Sequence, residues 1–405
     1  MDQTMIEEVD PDGLTIELMS DPQPVDPYPL YHALRTVAPN HPSMLGVRFV
    51  SSYAGCVELM RSPDFGQSFG FGSEEYGDSA FIKMVGEMLI LTNPPQHTRL
   101  RRLVSIAFSP RMIERQVPKI QANVDALLDR MAATGGGDLV AEFANPIPAM
   151  MLCDLLGAHF EDQPKIQGWS DAVADAVKPV LDEEVLRRAD EATLAFHAYI
   201  RDLIAERKAD PGDDLISALC AVEEEGDRIT ETELVNVLFT IMAAGSETTT
   251  SLIASGTMLI GSHPDERAKL AADPTLVSNA VDEILRYEAP VQNSFMRVAL
   301  RDTTLCGEEV VEGEHVVALI AAANRDPAQF SDPDRFLIDR PNAGDHLAFG
   351  NGIHFCLGRV LGRQQGMIAL GTLFRRFPDL SLVDDEIVWR KTLPTRRLDR
   401  LNVKI

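Results

Sequence analysis

Residues 349–358 read FGNGIHFCLG, a stretch in which one cysteine follows two closely spaced glycines and a histidine stands two places before it. Gly350 and Gly352 permit positive φ and a tight loop, so the backbone can approach a flat ligand with no Cβ in the way. A helix starting near Leu357 aims its unpaired N–H groups and positive dipole end at the Cys356 sulfur, which favours the ionised form. Gly358 removes bulk where a large planar group would press. A bare, oriented, anionic sulfur beside a flat group is what a haem iron held by cysteine thiolate requires. An isolated cysteine is more often a buried structural residue; the fixed multi-residue spacing reverses that preference here.

Three other segments carry polar groups in patterns that such a centre could use. Residues 93–111, NPPQHTRLRRLVSIAFSPR, set two prolines before a basic helix. At 3.6 residues per turn His97 and Arg101 lie within about 40° of each other, while Arg99 and Arg102 cluster on the roughly opposite side. Residues 234–262 suit one long helix of about 40 Å at 1.5 Å per residue. Midway it reads AAGSETTT, where Ala243, Ala244 and Gly245 leave space against a flat group and weaken the helix locally. Glu247 and Thr248 put an acid and an alcohol into otherwise apolar surroundings, and a buried carboxylate is costly unless used or paired. Residues 282–287, DEILRY, place Glu283 and Arg286 at i and i+3 on one helix face, a spacing that carries little by itself. Downstream, NRDPAQFSDPDRFLIDR is punctuated by proline, with Phe330 and Phe336 as anchors.

In combination these segments resemble the cytochrome P-450 family, the haem-thiolate monooxygenases. Phe349, Gly350, Gly352, His354, Cys356, Leu357 and Gly358 fall where that family's haem-binding signature has them, and the resemblance runs over roughly residues 25–400. It implies a mostly helical fold with small β-sheets, one large domain enclosing haem b, and Cys356 as the iron ligand. It implies that His97, Arg101, Arg297 and His354 hold the haem carboxylates, and that Ala244, Phe349, Gly350 and Gly358 border the ring. Glu247 and Thr248 take the family's place of an acid–alcohol pair that organises water and delivers protons to dioxygen. Glu283, Arg286 and Arg340 take a scaffold role behind the cysteine loop. Gly362, where alanine is usual, and Gln365, where glutamate is frequent, depart from the pattern.

The resemblance also implies a reaction: dioxygen and two electrons, with hydroxylation or epoxidation of a medium-sized apolar natural product of polyketide, macrolide or terpenoid type. Oxidative coupling or desaturation shares every motif, and a peroxide-driven enzyme needs no partner. The chain has no flavin or iron–sulfur motif, so a ferredoxin and its reductase are the expected electron donors. Arg99, Arg102, Arg359 and Arg363 are candidates for the docking patch, set against an acidic background. The substrate walls are expected from residues 69–88, 160–194 and 291–295, with Ala243, Ala244 and Leu393.

Bulk properties fit this reading. With 45% hydrophobic and 24% charged residues the chain can bury a large core, which excludes a disordered or fibrous protein. A net charge of −25 argues against nucleic acid or an anionic membrane as partner. Five cysteines, scattered and with no CxxC pair, speak against a disulfide framework or zinc site, so a reducing cytoplasm is expected, with the protein a monomer. One domain over residues 1–405 is expected, its first 24 residues a flexible segment. Helices are expected at 26–37 and 53–61, a strand at 44–50, and short strands over 375–405.

Overall fold

A computed structural model describes residues 9–20, 24–68, 76–176, 182–224, 226–383, 387–391 and 395–405. Within the segment expected to be flexible, Pro11–Leu18 forms helix α1. The Asp10 side chain accepts from the Asp12 N–H, proline opens the first turn, and Thr15 and Leu18 are buried. Asp12 then accepts from Ser43 and Met44 and pairs with His41, which fastens the helix to the body. Helix α2 is Tyr28–Val37 and α3 is Tyr53–Arg61, the latter capped by Ser52 accepting from Gly55. Between them strand β1 is Asn40–Pro42 and β2 is Val47–Val50. The strand begins later than expected because residues 43–46 turn through Gly46 at φ +74°.

The chain continues through β3 Phe65–Gln67, α4 Ala80–Gly86, α5 Gln96–Ala107 and α6 Pro110–Thr134. After β4 Gly136–Asp138 come α7 Pro146–Leu156, α8 Gln163–Asp175, α9 Glu183–Ala209 and α10 Leu215–Ala221. A two-residue hairpin, β5 Glu223–Glu224 with β6 Asp227–Arg228, precedes α11 Glu231–Gly245 and α12 Glu247–Ser262. The expected single helix at 234–262 thus starts earlier and is interrupted at Ser246. Its start is set by a capping box, in which Thr230 accepts from the Glu233 N–H and Glu233 accepts from the Thr230 N–H. The 231–262 segment is long and apolar enough to cross a membrane, but most of it is buried inside this protein.

Helix α13 Pro264–Ala272 and α14 Val277–Tyr287 follow, then β7 Arg297–Ala299, the hairpin β8 Thr303–Leu305 and β9 Glu308–Val310, β10 His315–Ala318 and α15 Ile320–Ala323. Helix α16 is Arg359–Arg376, and the chain ends in β11 Ser381–Leu382, β12 Val388–Lys391, β13 Arg396–Arg400 and β14 Asn402–Lys404. The largest sheet has the order β1-β2-β10-β7-β3, with only β2 and β10 parallel. Strand β14 pairs both β11 and β4, which ties the chain's end to its middle.

The core is a bundle in which α16 lies between α6 and α12. Their relative direction can be read from side chains. Gln121 of α6 donates to Thr372, and Arg376 one turn on reaches Asp125 and Asp129. A Cβ on Gly366 would press on Leu252, and one on Gly256 would press on Leu370 and Ile284. Contacts that advance together along both helices mean parallel helices, so α6, α12 and α16 run side by side in one direction. At Gly256 and Gly366 leucine side chains of the neighbouring helix fill the space a Cβ would need, so a larger residue at either would have to displace Leu370 or Leu252.

Candidate active site

The cysteine loop is held from below by α3. Gly352 lies at φ +70°, and a Cβ there would collide with the Met60 carbonyl, so only glycine allows this approach. The Asn351 side chain accepts from the Gly352 N–H at 2.8 Å and from Arg61 at 2.9 Å. The Cys356 N–H donates to the Phe349 carbonyl at 2.9 Å, closing the loop on itself. Helix α16 begins at Arg359, two residues later than expected, with Gly358 at its N-cap. Burial pushes the Cys356 thiol pKa up, against hydrogen bonds from the Gly358 and Arg359 N–H groups and the charges of Arg101 and Arg359. By accessible area the residue is nevertheless exposed. A side chain on the wall of an interior opening, crowded by protein on its other sides, satisfies both observations.

Four predicted cationic or donor side chains converge on this loop. The His97 and His354 rings are 4.1 Å apart, and each keeps a buried Nδ1 without a hydrogen-bond partner. Arg101 donates to the Phe355 carbonyl at 2.6 Å. Arg297, 4% exposed, has a buried Nε with no partner and one long contact from Nη1 to the Phe65 carbonyl at 3.4 Å. Burial alone pulls its pKa down to about 10. Burial, with His97, Arg297 and Arg101 nearby, takes His354 down to about 3. Among the described residues no carboxylate pairs with Arg297, an expensive state for a buried cation. A ligand bearing carboxylates fits these orphaned donors. A flat ring fits beside them: nothing lies within 4 Å of a Cβ built on Gly358, and one on Gly350 would touch only the His354 carbonyl at 4.0 Å. The residues present therefore suit haem b.

The acid–alcohol pair stands at the break between α11 and α12. Ser246 carries φ −93° and ψ −63°, and the Thr248 hydroxyl donates to the Ala244 carbonyl across the break at 3.0 Å. Ala244 is exposed and Thr248 half-buried. Glu247 is buried and turned to the β12–β13 hairpin, where the Thr395 hydroxyl donates to it at 3.1 Å and Arg390 lies 3.8 Å away. Burial raises its pKa, opposed by Arg397, Arg390 and Thr395. Sequence reasoning took Glu247 and Thr248 together and did not foresee that the carboxylate has partners of its own. Thr395 is the described part of a turn expected to reach the cavity; residues 392–394, including Leu393, lie outside the described residues, as do 69–75 and 177–181 of the expected walls.

Behind the cysteine, Glu283 and Arg286 are both 0% exposed and joined by two hydrogen bonds at 2.7 and 2.9 Å. Arg340 donates to both Glu283 oxygens at 3.1 and 3.0 Å, and the Leu337 N–H adds a further bond. Arg286 also donates to the carbonyls of Asn324, Pro333 and Arg335. Asn324 in turn accepts from the Leu347 N–H at 2.7 Å, which carries the network to the start of the cysteine loop. One clamp escaped the sequence: Asp282 accepts from Arg363 of α16 at 2.7 Å and pairs with His346 at 3.6 Å. Gly362 leaves room for a Cβ, with Thr249 Oγ1 at 4.0 Å, whereas buried Gln365 keeps an Oε1 without a partner.

The four-arginine docking patch needs correction. Arg99 is held by Asp227 at 2.7 Å and Glu233 at 2.6 Å, because the β5–β6 hairpin returns over α5. Arg363 is committed to Asp282. Arg102 is exposed, and Arg359 lies within 6.0 Å of the Phe349 and Phe355 ring centres.

Comparison with known proteins follows the same lines. The family model for cytochrome P-450 matches residues 68–274 and 269–388. The chain is 40% identical over 317 residues to 6-deoxyerythronolide B hydroxylase of Saccharopolyspora erythraea, covering 78% of this chain and 77% of that one. Among solved structures it is similar to the bacillaene polyketide synthase cytochrome P-450 PksS of Bacillus subtilis, with TM-score 0.86, 33% identity, and 98% and 99% of the two chains covered. It is also similar to P-450 BioI in complex with an acyl carrier protein carrying hexadec-9Z-enoic acid, with TM-score 0.88, 33% identity, and 94% and 98% coverage. The cysteine loop, its cluster of unpaired donors and the interrupted helix agree with these likenesses: the chain belongs to the cytochrome P-450 family of haem-thiolate monooxygenases.

Proposed function

We propose that this enzyme hydroxylates or epoxidises a medium-sized, largely apolar natural product of polyketide, macrolide or terpenoid type, in the cytoplasm, with electrons from a ferredoxin and its reductase. The observation that carries the reading is the set of donors around Cys356, the buried His97 and Arg297 with the half-buried Arg101 and His354, which lack carboxylate partners. These four would hold the carboxylates of haem b, and Cys356 would supply the thiolate that ligates its iron. Ala244, Phe349, Gly350 and Gly358 would border the ring. When bound, haem supplies the reduction of dioxygen and the insertion of one oxygen atom into a C–H bond or alkene. Burial raises the pKa of Glu247, which suits it to carry a proton near the site. The Thr248 hydroxyl, now bonded to the Ala244 carbonyl, is the group that can turn to receive and orient it. The names of the relatives, a 6-deoxyerythronolide B hydroxylase and a polyketide-synthase P-450, support the substrate class. Arg102 and Arg359 are the arginines best placed to meet an acidic ferredoxin.

The test of the thiolate is Cys356→Ser, expected to lose the red-shifted Soret band of the reduced carbon monoxide adduct; a retained band overturns the assignment. Spectral titration with polyketide, macrolide and terpenoid panels tests the substrate class, with no response from any of them counting against it. Turnover that proceeds with peroxide and not with ferredoxin would refute the electron route.

A further inference from the structure

The β12–β13 hairpin has two faces. Arg390 and Thr395 point to Glu247, and the register puts Arg397 opposite Arg390 on that same face. Trp389 and Arg396 alternate with them and point the other way, onto a cavity of about 630 Å³. That volume lies in the range of small-molecule sites. Its walls include the buried Met258 and Leu259 of α12, with Tyr28, which opens α2, and Tyr287, which closes α14. None of the lining residues belongs to the cysteine loop, to α5 or to the break at Ser246.

Arg325 and Arg396 line this cavity at 5% and 7% exposure. The Arg325 guanidinium lies over the rings of Tyr28 and Tyr287, 3.3 and 3.7 Å from their centres, and donates twice to the Tyr287 carbonyl, at 3.1 and 2.7 Å. Arg396 lies 3.7 Å over the Trp389 ring. It donates from Nε to Glu288 at 2.5 Å and from Nη2 to the Val25 carbonyl at 2.9 Å, which leaves Nη1 without a hydrogen bond among the described residues. Glu288 is the buried carboxylate of the lining, and the same oxygen that meets Arg396 also accepts from the Tyr28 hydroxyl at 3.0 Å. The other acids nearby, Asp334 at 3.3 Å from Arg325 and Asp26 in the lining, are exposed, where water and salt screen them. Two interior cations therefore share one interior anion.

We propose that this cavity is a second small-molecule site, one that takes a planar aromatic carboxylate with Arg396 as its anchor and Trp389 as its platform. A guanidinium with an unbonded nitrogen offers a charge-assisted hydrogen bond to a carboxylate. Rings of Trp389, Tyr28 and Tyr287 beside aliphatic side chains suit a flat apolar body, which can stack offset or meet them edge-on. The lining shares no residue with the set assigned to haem, so the site is distinct from the one that would hold the oxidised substrate.

The chain's two tryptophans, Trp169 and Trp389, allow a direct test. The holoenzyme is prepared with fluorotryptophan and titrated with 2-naphthoate. The fluorine resonance of Trp389, assigned by its loss in Trp389→Phe, should move saturably while that of Trp169 on α8 and the Soret band stay fixed. No movement at Trp389 up to about 1 mM probe overturns the site. A Soret change with the same midpoint places the probe beside the haem and overturns it as well. In calorimetry 2-naphthamide, of the same shape without the charge, should bind at least ~10-fold more weakly, and equal binding refutes the carboxylate. Arg396→Gln should weaken 2-naphthoate at least ~10-fold and 2-naphthamide far less; equal weakening of the two refutes the anchor. If Arg396→Gln does not fold, Arg396→Lys carries the same comparison, since it keeps the charge and loses the planar fork. Val388→Phe narrows the cavity at a lining residue that is 40% exposed, and should weaken both probes alike. Unchanged affinity in that variant would mean that the probes bind elsewhere, and would overturn the proposal.

Discussion

Replacing Arg297 by methionine should have opposite effects on the haem-free and haem-bound protein. The guanidinium is 4% exposed, its Nε has no partner, and burial alone draws its pKa down to about 10. At neutral pH the group is still charged in both folded and unfolded chains, so the lowered value measures what the folded haem-free protein loses by burying it. The drop corresponds to ~3 kcal/mol. Methionine has a similar length and no charge, so the haem-free variant should gain up to that amount, or about 3–4 °C in melting temperature for a chain of 405 residues. In the holoprotein the same change deletes a charge-assisted bond to a haem carboxylate, worth ~1.5–3 kcal/mol, and should speed haem loss roughly 10- to 150-fold. Circular dichroism melts of the haem-free protein and haem transfer to a globin acceptor read the two halves. A haem-free variant that melts lower than its parent, or haem transfer at the parental rate, refutes the assignment of Arg297 as a carboxylate ligand.

Five other substitutions separate scaffold from site. Glu283→Gln leaves Arg286 and Arg340 buried without their shared anion and should cost about 3–5 kcal/mol in urea unfolding of the holoprotein; a loss below about 1 kcal/mol would contradict a buried triad. Gly352→Ala combines a left-handed backbone with a collision at the Met60 carbonyl and should cost at least about 2 kcal/mol. Gly358→Ala, with open space around its new Cβ, should cost the haem-free protein less than about 1 kcal/mol while weakening haem retention, and equal losses in both proteins would count against a ring at that position. Arg359→Glu should raise the KM for ferredoxin, with a strong dependence on salt, whereas Arg363→Glu should appear first as lost stability because it breaks the pair with Asp282. Equal kinetic defects without any stability loss would restore the original patch.

The sequence displayed the features that depend on local spacing. Cys356 and its glycines, the Glu283–Arg286 pair and the weakness at AAGSETTT all lie within a turn or two of chain, where periodicity and backbone preference speak directly. Helix α1 was legible in the same way, from Asp10 followed by Pro11 at a capped helix start, although the first 24 residues as a whole read as a flexible segment. The start of α11 also carried its signal in Thr230 and Glu233. Long-range pairing was out of reach. Nothing near Arg99 announces that Asp227 and Glu233 will meet it, since a later hairpin must first fold back over α5. Glu247 could be recognised as a buried acid, but Arg390 and Thr395 lie well over a hundred residues away on a strand pair with no distinguishing motif. The packing of leucines over Gly256 and Gly366 is likewise invisible, because each glycine alone reads as a weak point in its own helix.

The parallel course of α12 and α16 has an electrostatic consequence. Helices that run in one direction begin at one end of the bundle, so Glu247, first residue of α12, and Cys356, just before α16, both lie beside helix N-termini. Each N-terminus carries roughly half a positive charge from its aligned peptide groups. The two acidic groups that the proposed reaction would use, the Cys356 thiol and the Glu247 carboxyl, thus sit in a field made by backbone. Surface charge can change by evolution or mutation, and the covering helices can be reshaped for another substrate, without altering that field.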